Sequence, residues 1–146
     1  MASIREQIIA HVYAIHQGIP GAVRVDRARQ SAYQKVEAPA VLIAEPATDD
    51  PSEPQVSTNH VEWLISLEVA VYVVAPVPST AADPILCQSW SMMMADRTLG
   101  GLAQSVTPGQ VKWLAVDTGE GNAGWVIQPW LIRYRTGVLT IEAHND

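Results

Sequence analysis

The sequence predicts an α+β fold, with a mainly antiparallel sheet flanked by two helices in the order αβββαββ. Three stretches predict it: helical apolar spacing over residues 4–15, strict alternation over residues 60–75, and a second helical stretch that closes at Gly100-Gly101. A chain of 146 residues has the usual size of one domain. We therefore expect a single domain over residues 1–146.

The first element is an amphipathic helix. Ser3 and Glu6 have the spacing of a capping box, and the glycine at position 18 ends the helical pattern. The apolar positions share one helical face: Ile4, Ile8, Val12 and Ile15.

Two strands are predicted next, over residues 22–29 and 39–45. The region around and between them carries Asp26 and Glu37 against a surplus of basic residues: Arg24, Arg27, Arg29 and Lys35. Two interpretations follow: a solvated hairpin, or a basic edge that meets an acidic partner surface.

Residues 46–59 contain three prolines, several acidic side chains and almost no apolar residue, which predicts a flexible acidic loop. Its length of 14 residues is unusual inside a compact domain and is typical of a functional arm or of disorder.

The long alternating strand over residues 60–75 is the centre of the predicted sheet. Its length predicts a strand that bends or projects past its own domain. One side carries Val61, Trp63, Ile65, Leu67, Val69, Val71 and Val73, and the other carries His60, Glu62, Ser66, Glu68 and Tyr72.

The second helix is predicted to begin at Asp83-Pro84, with aspartate as N-cap and proline at the first position. Its apolar stripe is predicted over Leu86, Trp90, Met93 and Arg97, with the methionines 92–94 as core filling. Two strands over residues 111–118 and 124–137 follow, joined by a glycine-rich hairpin. Pro129 predicts an edge position or a bulge in the last strand.

Composition excludes several classes of protein. The formal charge of -6 argues against a general nucleic-acid binder. The single cysteine excludes an intramolecular disulfide, and no apolar run predicts a signal peptide or a membrane helix. Only 16% of residues are charged and five are tryptophan, which favours an oligomer.

No motif supports catalysis. Gly119, Gly121 and Gly124 match the dinucleotide pattern but lead into a strand, and Asp117-Thr118-Gly119 lacks the surroundings of an aspartic protease. The four histidines have no metal-ligand spacing, and Cys87 is expected to be a buried structural thiol. We expect no enzyme activity, no cofactor and no metal.

The element order and the closing stretch over residues 130–137 resemble the lambda-type tail terminator proteins of long-tailed bacteriophages. That family often ends on an apolar strand that runs into a segment like Tyr134-Arg135-Thr136, followed by a short polar tail. The resemblance covers nearly the whole chain. Two segments depart from the family pattern: the loop 46–59 and the polar tail 142–146.

The resemblance implies a structural virion protein that is assembled in the host cytoplasm and forms a homo-oligomeric, typically hexameric ring. The ring caps the head-proximal end of the tail tube, stops tube polymerisation and provides a surface for the head-tail connector protein, while DNA passes through the lumen without sequence-specific binding. Candidate interface residues are Arg24, Arg27, Arg29 and Lys35, with Arg133 and Arg135 as a second set. The alternatives are a head-tail connector or other neck protein, and, from a different class, a small-ligand-binding α+β domain.

Overall fold

The computed structural model describes residues 2–46, 48–51, 59–117 and 122–138, and the side chains of Val116 and Asp117 lie outside that description. Two helices and one seven-stranded mixed sheet confirm the α+β class. The elements are α1 (Ile4–His16), β1 (Arg24–Arg27), a 3-10 turn (Lys35–Glu37), β2 (Ala40–Ala44), β3 (Asp50–Pro51), β4 (His60–Val74), α2 (Pro78–Ala95), β5 (Ser105–Pro108), β6 (Lys112–Asp117) and β7 (Asn122–Gly137).

The sheet is organised around β4 and β7, which pair antiparallel without a break from His60↔Gly137 to Val74↔Ala123. The other edge of β4 pairs with β2 and, further along, with β3. The other edge of β7 pairs with β6 and, further along, with β5. The predicted long strand therefore does not project alone, because its partner matches its length.

The first two strands are not a hairpin. β1 and β2 run parallel, with Arg24 opposite Ala40, so the chain between them crosses over the sheet through the 3-10 turn. In that crossover Tyr33 stacks on Tyr72 at a ring distance of 5.5 Å. Burial of this aromatic pair against Ala40 explains why the segment returns to the same end of the sheet.

Both helices pack on one face of the sheet and form the main core. The predicted inward positions of β4 from Ile65 to Val73 are buried there, against α1 and α2. The α1 prediction is confirmed, including the Ser3 side chain that accepts a hydrogen bond from the Glu6 N–H.

The second helix begins earlier than predicted, at Pro78, and Pro84 lies inside it. Its buried stripe is Ala82, Ile85, Ser89 and Met93, so the predicted stripe through Leu86 and Trp90 was wrong by one position. Trp90 is 40% exposed and packs on the buried Trp130. Met93 is core filling as predicted, with Met92 and Met94 partly buried beside it.

Pro129 of β7 lies opposite a change of register between its partner strands β5 and β6. Three residues lie between Pro108 and Lys112, whereas only two lie between their partners Trp130 and Ile127, so the β5–β6 connection carries one extra residue opposite Pro129. Because the proline cannot donate a ladder hydrogen bond, the change of register falls where that bond is missing. The predicted bulge is thus present, but Pro129 itself is on an interior strand.

Part of the predicted loop 46–59 is a strand. Asp50 and Pro51 form β3, paired with Leu64 and Trp63 of β4. Residues 47 and 52–58 of that loop, the hairpin residues 118–121 and the polar tail 142–146 lie outside the described residues.

Candidate functional site

A network of ion pairs occupies the β1 edge of the sheet, where the sequence places its basic residues. Arg24 donates two hydrogen bonds of 2.8 Å to Asp26 and one of 2.6 Å to Glu37. Arg29 donates to both carboxylate oxygens of Glu37, at 2.7 and 2.9 Å. Two arginines and two carboxylates therefore neutralise one another within the chain.

Tyr33 ties this network to the crossover. Its hydroxyl donates to Asp26 at 2.7 Å, and the Arg29 guanidinium lies 4.1 Å above its ring. Burial raises the pKa of the Tyr33 hydroxyl, and its hydrogen bond to Asp26 adds to that rise. Burial also acts to raise the pKa of Asp26, but the hydrogen bonds from Arg24 and Tyr33 outweigh it, and that pKa lies below its ordinary value.

Arg27 joins three elements. Its guanidinium binds both oxygens of Glu6 on α1, at 2.9 and 2.5 Å, and its Nε donates to Glu45 after β2 at 2.6 Å. The hydrogen bond from Arg27 holds the pKa of Glu6 below its ordinary value. This geometry fixes α1 over the end of the sheet and leaves little of the Arg27 charge for a partner.

The predicted basic residues thus fall into separate environments. Arg24, Arg27 and Arg29 are engaged within the chain, and Lys35 lies on the exposed 3-10 turn. Arg135 donates to Glu62 at 2.8 Å on the sheet face away from the helices. Arg133 lies on the same face and is exposed, without an ion pair among the described residues. The structure therefore does not bring the six residues together into one patch.

A second polar cluster anchors residues 48–51. Asp49 accepts hydrogen bonds from Arg5 of α1, at 3.1 Å, and from the Tyr134 hydroxyl, at 2.7 Å. Tyr134 stacks with Trp63, whose indole N–H donates to Thr136 at 2.9 Å. A cavity of about 150 Å³ lies among these side chains. The cluster fixes part of the predicted loop to the sheet.

An apolar cleft opens at the outer edge of β6, beside the first turns of α2. It encloses about 250 Å³ and is lined by Pro78, Ser79, Ala82, Trp113, Leu114, Ala115 and Trp125. Trp113 is 48% exposed and Leu114 is 52% exposed. Exposed aromatic and aliphatic side chains around a concavity are typical of protein contact surfaces.

We did not predict this cleft from the sequence, although one signal was available. Along β6, Trp113 and Leu114 point to opposite sides, and both are apolar. An edge strand with one solvated face would carry polar residues at alternate positions. Apolar residues on both sides of an edge strand indicate a partner.

The described residues show no assembled catalytic or metal site. No group of three or more histidine, cysteine, aspartate or glutamate side chains in that part of the chain could hold a metal ion. Cys87 is exposed, so the prediction of a buried thiol was wrong, because the α2 stripe turns position 87 outward. Gly124, the last glycine of the dinucleotide-like pattern, lies within β7 and not at a helix start.

One histidine is fully buried between the helices. The His16 Nδ1–H donates to the Val12 carbonyl at 2.7 Å, and Nε2 lies 2.8 Å from the Ser89 hydroxyl of α2. Burial lowers the pKa of His16, with the Val12 hydrogen bond opposing it. The imidazole is therefore neutral and accepts from Ser89, which makes it a structural link between α1 and α2.

Comparison with known proteins identifies no family. No family model matches the chain, and no curated protein matches it. Among solved structures, it is similar to a chain of the virion of a native gene transfer agent particle, over 92% of each chain, with a TM-score of 0.44 and 9% identity. No helix in the described part of the chain is long and apolar enough to cross a membrane.

Proposed function

We propose that this chain is a structural virion protein of the tail-terminator type. Copies form a ring, with six as the expected number, that caps the head-proximal end of the tail tube. The ring stops further tube polymerisation and provides the surface on which the head-tail connector binds. The action is steric and adhesive, and it needs no catalytic residue.

The observation that carries this proposal is the difference between the two edges of the sheet. The β6 edge has an apolar cleft with exposed Trp113 and Leu114. The β1 edge has a charged network and two exposed valines, Val23 at 66% and Val36 at 81%. A ring needs a heterologous contact between two different surfaces of the same chain, and two unlike edges meet that requirement.

The cleft and the valines suggest how neighbouring copies meet. Val36 projects from the crossover beside β1, and the cleft is concave and apolar. Insertion of the valine edge of one copy into the cleft of the next would remove apolar surface from water on both copies. The predicted contact residues Arg24, Arg27, Arg29 and Lys35 flank this edge, and their carboxylate partners would form the polar rim of the contact.

The charge balance is compatible with a DNA passage. The whole chain carries a formal charge of -6, so a lumen lined by it would repel phosphates and let DNA slide. The predicted partners are therefore further copies of the chain, the tail-tube protein and the head-tail connector. DNA is a passing cargo without base-specific contacts.

A charge placed in the cleft tests this proposal. Leu114→Lys should prevent ring closure on tube ends, because a lysine desolvated in an apolar contact costs several kcal/mol. The matched control is Val138→Lys, which adds the same charge at an exposed apolar residue away from the cleft. Val138 is 42% exposed and lies beyond the far end of β7. Tail lengths in lysates are measured by electron microscopy. Overlong tails with Leu114→Lys alone support the proposal.

The same assay separates the alternative functions. Tails of normal length that fail to join heads would assign the chain to the neck or connector, because only a terminator controls length. Normal, joined tails with Leu114→Lys would remove the cleft from the assembly. The cleft of about 250 Å³ lies below the roughly 300–1,000 Å³ of ordinary ligand sites, and its lining among the described residues is mostly apolar, which does not favour a small ligand.

A further inference from the structure

Among the described residues, the face of the sheet turned away from the helices is covered only at one end. There the crossover packs Tyr33 on Tyr72 and Trp125. Toward the other end, the cross-strand neighbours on this face include Leu64, Ser66, Pro129 and Leu131. Leu131 is 36% exposed, and Leu64 and Pro129 are half-buried. The open part therefore has apolar side chains at Leu64, Pro129 and Leu131, beside the charged Glu68 and Arg133.

Charged side chains on this face are sorted by strand. Apart from Arg24 and Asp26 of β1, which pair with each other, the acidic ones lie on β3 and β4 and the basic ones lie on β7 and β6: Asp50, Glu62 and Glu68 against Arg133, Arg135 and Lys112. The boundary between acidic and basic halves runs between β4 and β7, parallel to the strands. Glu62 and Arg135 form the one ion pair across it among the described residues, and the Arg133 charge also acts on Glu62.

The other four charges are too far apart to pair within one chain. Asp50 and Arg133 share a row but are separated by β4, and Glu68 and Lys112 are separated by β7. Two strand spacings amount to about 10 Å, well beyond the length of an ion pair. None of the four has an ion pair among the described residues.

We infer that this face binds a second copy of the chain, face to face, about a two-fold axis that runs close to the strand direction. Such an axis exchanges the two halves, so the acidic half of each copy lies over the basic half of the other. The apolar side chains Leu64 and Leu131 then face the same two side chains of the second copy. An axis perpendicular to the strands would instead oppose like charges.

The size of the face sets the strength of this dimer. Four strands about 4.8 Å apart and about seven residues long give about 450 Å² per subunit. The total is below the roughly 1,200 Å² of stable specific interfaces, so the dimer is weak and dissociates on dilution. Because its polar contacts join charged side chains, it also weakens with salt.

Sedimentation velocity on the purified full chain tests the inference, over about 5–500 µM protein at about 20 and 500 mM NaCl. The expected result is a monomer–dimer equilibrium whose dimer fraction falls with dilution and with salt. Among the six charged positions, Lys112→Glu with Arg133→Glu leaves Arg135 as the one basic residue, and Asp50→Lys with Glu68→Lys leaves Glu62 as the one acidic residue. Each double variant should dimerise about tenfold or more weakly than the natural chain.

Rescue distinguishes this face from a general charge effect. An equimolar mixture of the two double variants should form a heterodimer, and the quadruple variant, with both halves exchanged, should recover the homodimer. Arg97→Glu, compared with Arg133→Glu alone, is the matched control, since both variants exchange one exposed arginine for glutamate and Arg97 lies off this face, after α2. Thermal unfolding of every variant confirms that it is folded.

Three results would overturn the inference: a monomer at every concentration and salt, a dimer that all variants retain, or binding of tube protein to this face in place of a second copy. The inference is independent of the proposed ring. Ring contacts use the edges of the sheet and are measured on tube ends, whereas this dimer is measured on the isolated chain.

Discussion

Gly124→Ala should lower the free energy of unfolding by about 1–3 kcal/mol and the melting temperature by about 3–10 °C. Gly124 lies on β7 where the first turn of α2 crosses it. A Cβ at this position would collide with the Pro78 Cβ and lie 3.2 Å from the Leu114 carbonyl oxygen. Neither a proline ring nor backbone can move aside cheaply, so the start of α2 must shift.

The comparison for this prediction is Gly101→Ala. Gly101 has a φ of +92° but nothing within 4 Å of its built Cβ, so that variant reports backbone strain without a clash. Because Pro78 also lines the apolar cleft, Gly124→Ala should weaken assembly as well as stability. Equal melting temperatures for Gly124→Ala and the natural chain would contradict the close packing of α2 on β7.

Acid should destabilise the fold through His16. The pKa of this buried imidazole is lowered in the folded state, so below its ordinary value of 6.5 the unfolded chain binds a proton that the folded chain does not. Stability is therefore full above pH 6.5 and falls by about 1.4 kcal/mol per pH unit below it, until the folded state protonates too. Urea unfolding between pH 5 and 7.5 measures this slope.

Two variants separate titration from packing. His16→Gln keeps hydrogen-bonding capacity without a titratable group, so the slope should disappear. Ser89→Ala leaves the imidazole nitrogen without its donor, which should cost about 1–3 kcal/mol at every pH but keep the slope. The carboxyl groups with lowered pKa, Glu6 among them, are ionised above about pH 4.5. Their protonation therefore lowers the free energy of unfolding only at lower pH. A slope that survives in His16→Gln would contradict the assignment.

The sequence predicted the parts of the fold that rest on a strong local pattern. The alternation of β4 and the capped first helix are both confirmed, since burial of one face and satisfaction of end N–H groups are local requirements. The start of α2 was wrong because Asp83-Pro84 is a good local start signal, yet Pro78 supplies an earlier one. Packing of α2 on the sheet selects the longer helix.

The missed elements depend on distant residues. β3 and β5 are two and four residues long, and each is defined by pairing with β4 or β7 and not by its own pattern. The parallel pairing of β1 and β2 depends on Tyr33 reaching Tyr72, which no nearby residue indicates. Tertiary contacts decide such elements.

The basic residues show the same limit at the candidate site. Their surplus over residues 24–35 is visible in the sequence, but Glu6 and Glu45, which engage Arg27, lie outside that window. A charge count within a segment therefore overstates the charge that remains for a partner. The apolar cleft, formed by α2 and β6 from distant parts of the chain, appears only once the fold has brought them together.

Native mass spectrometry of the purified protein, alone and with tail-tube protein, tests the ring most directly. We expect a monomer with a weak dimer in the free protein, and six copies bound at tube ends. Leu114→Lys should lose the six-copy species and keep the weak dimer. A natural chain that stays monomeric or dimeric and has no affinity for tube ends would contradict the proposed ring.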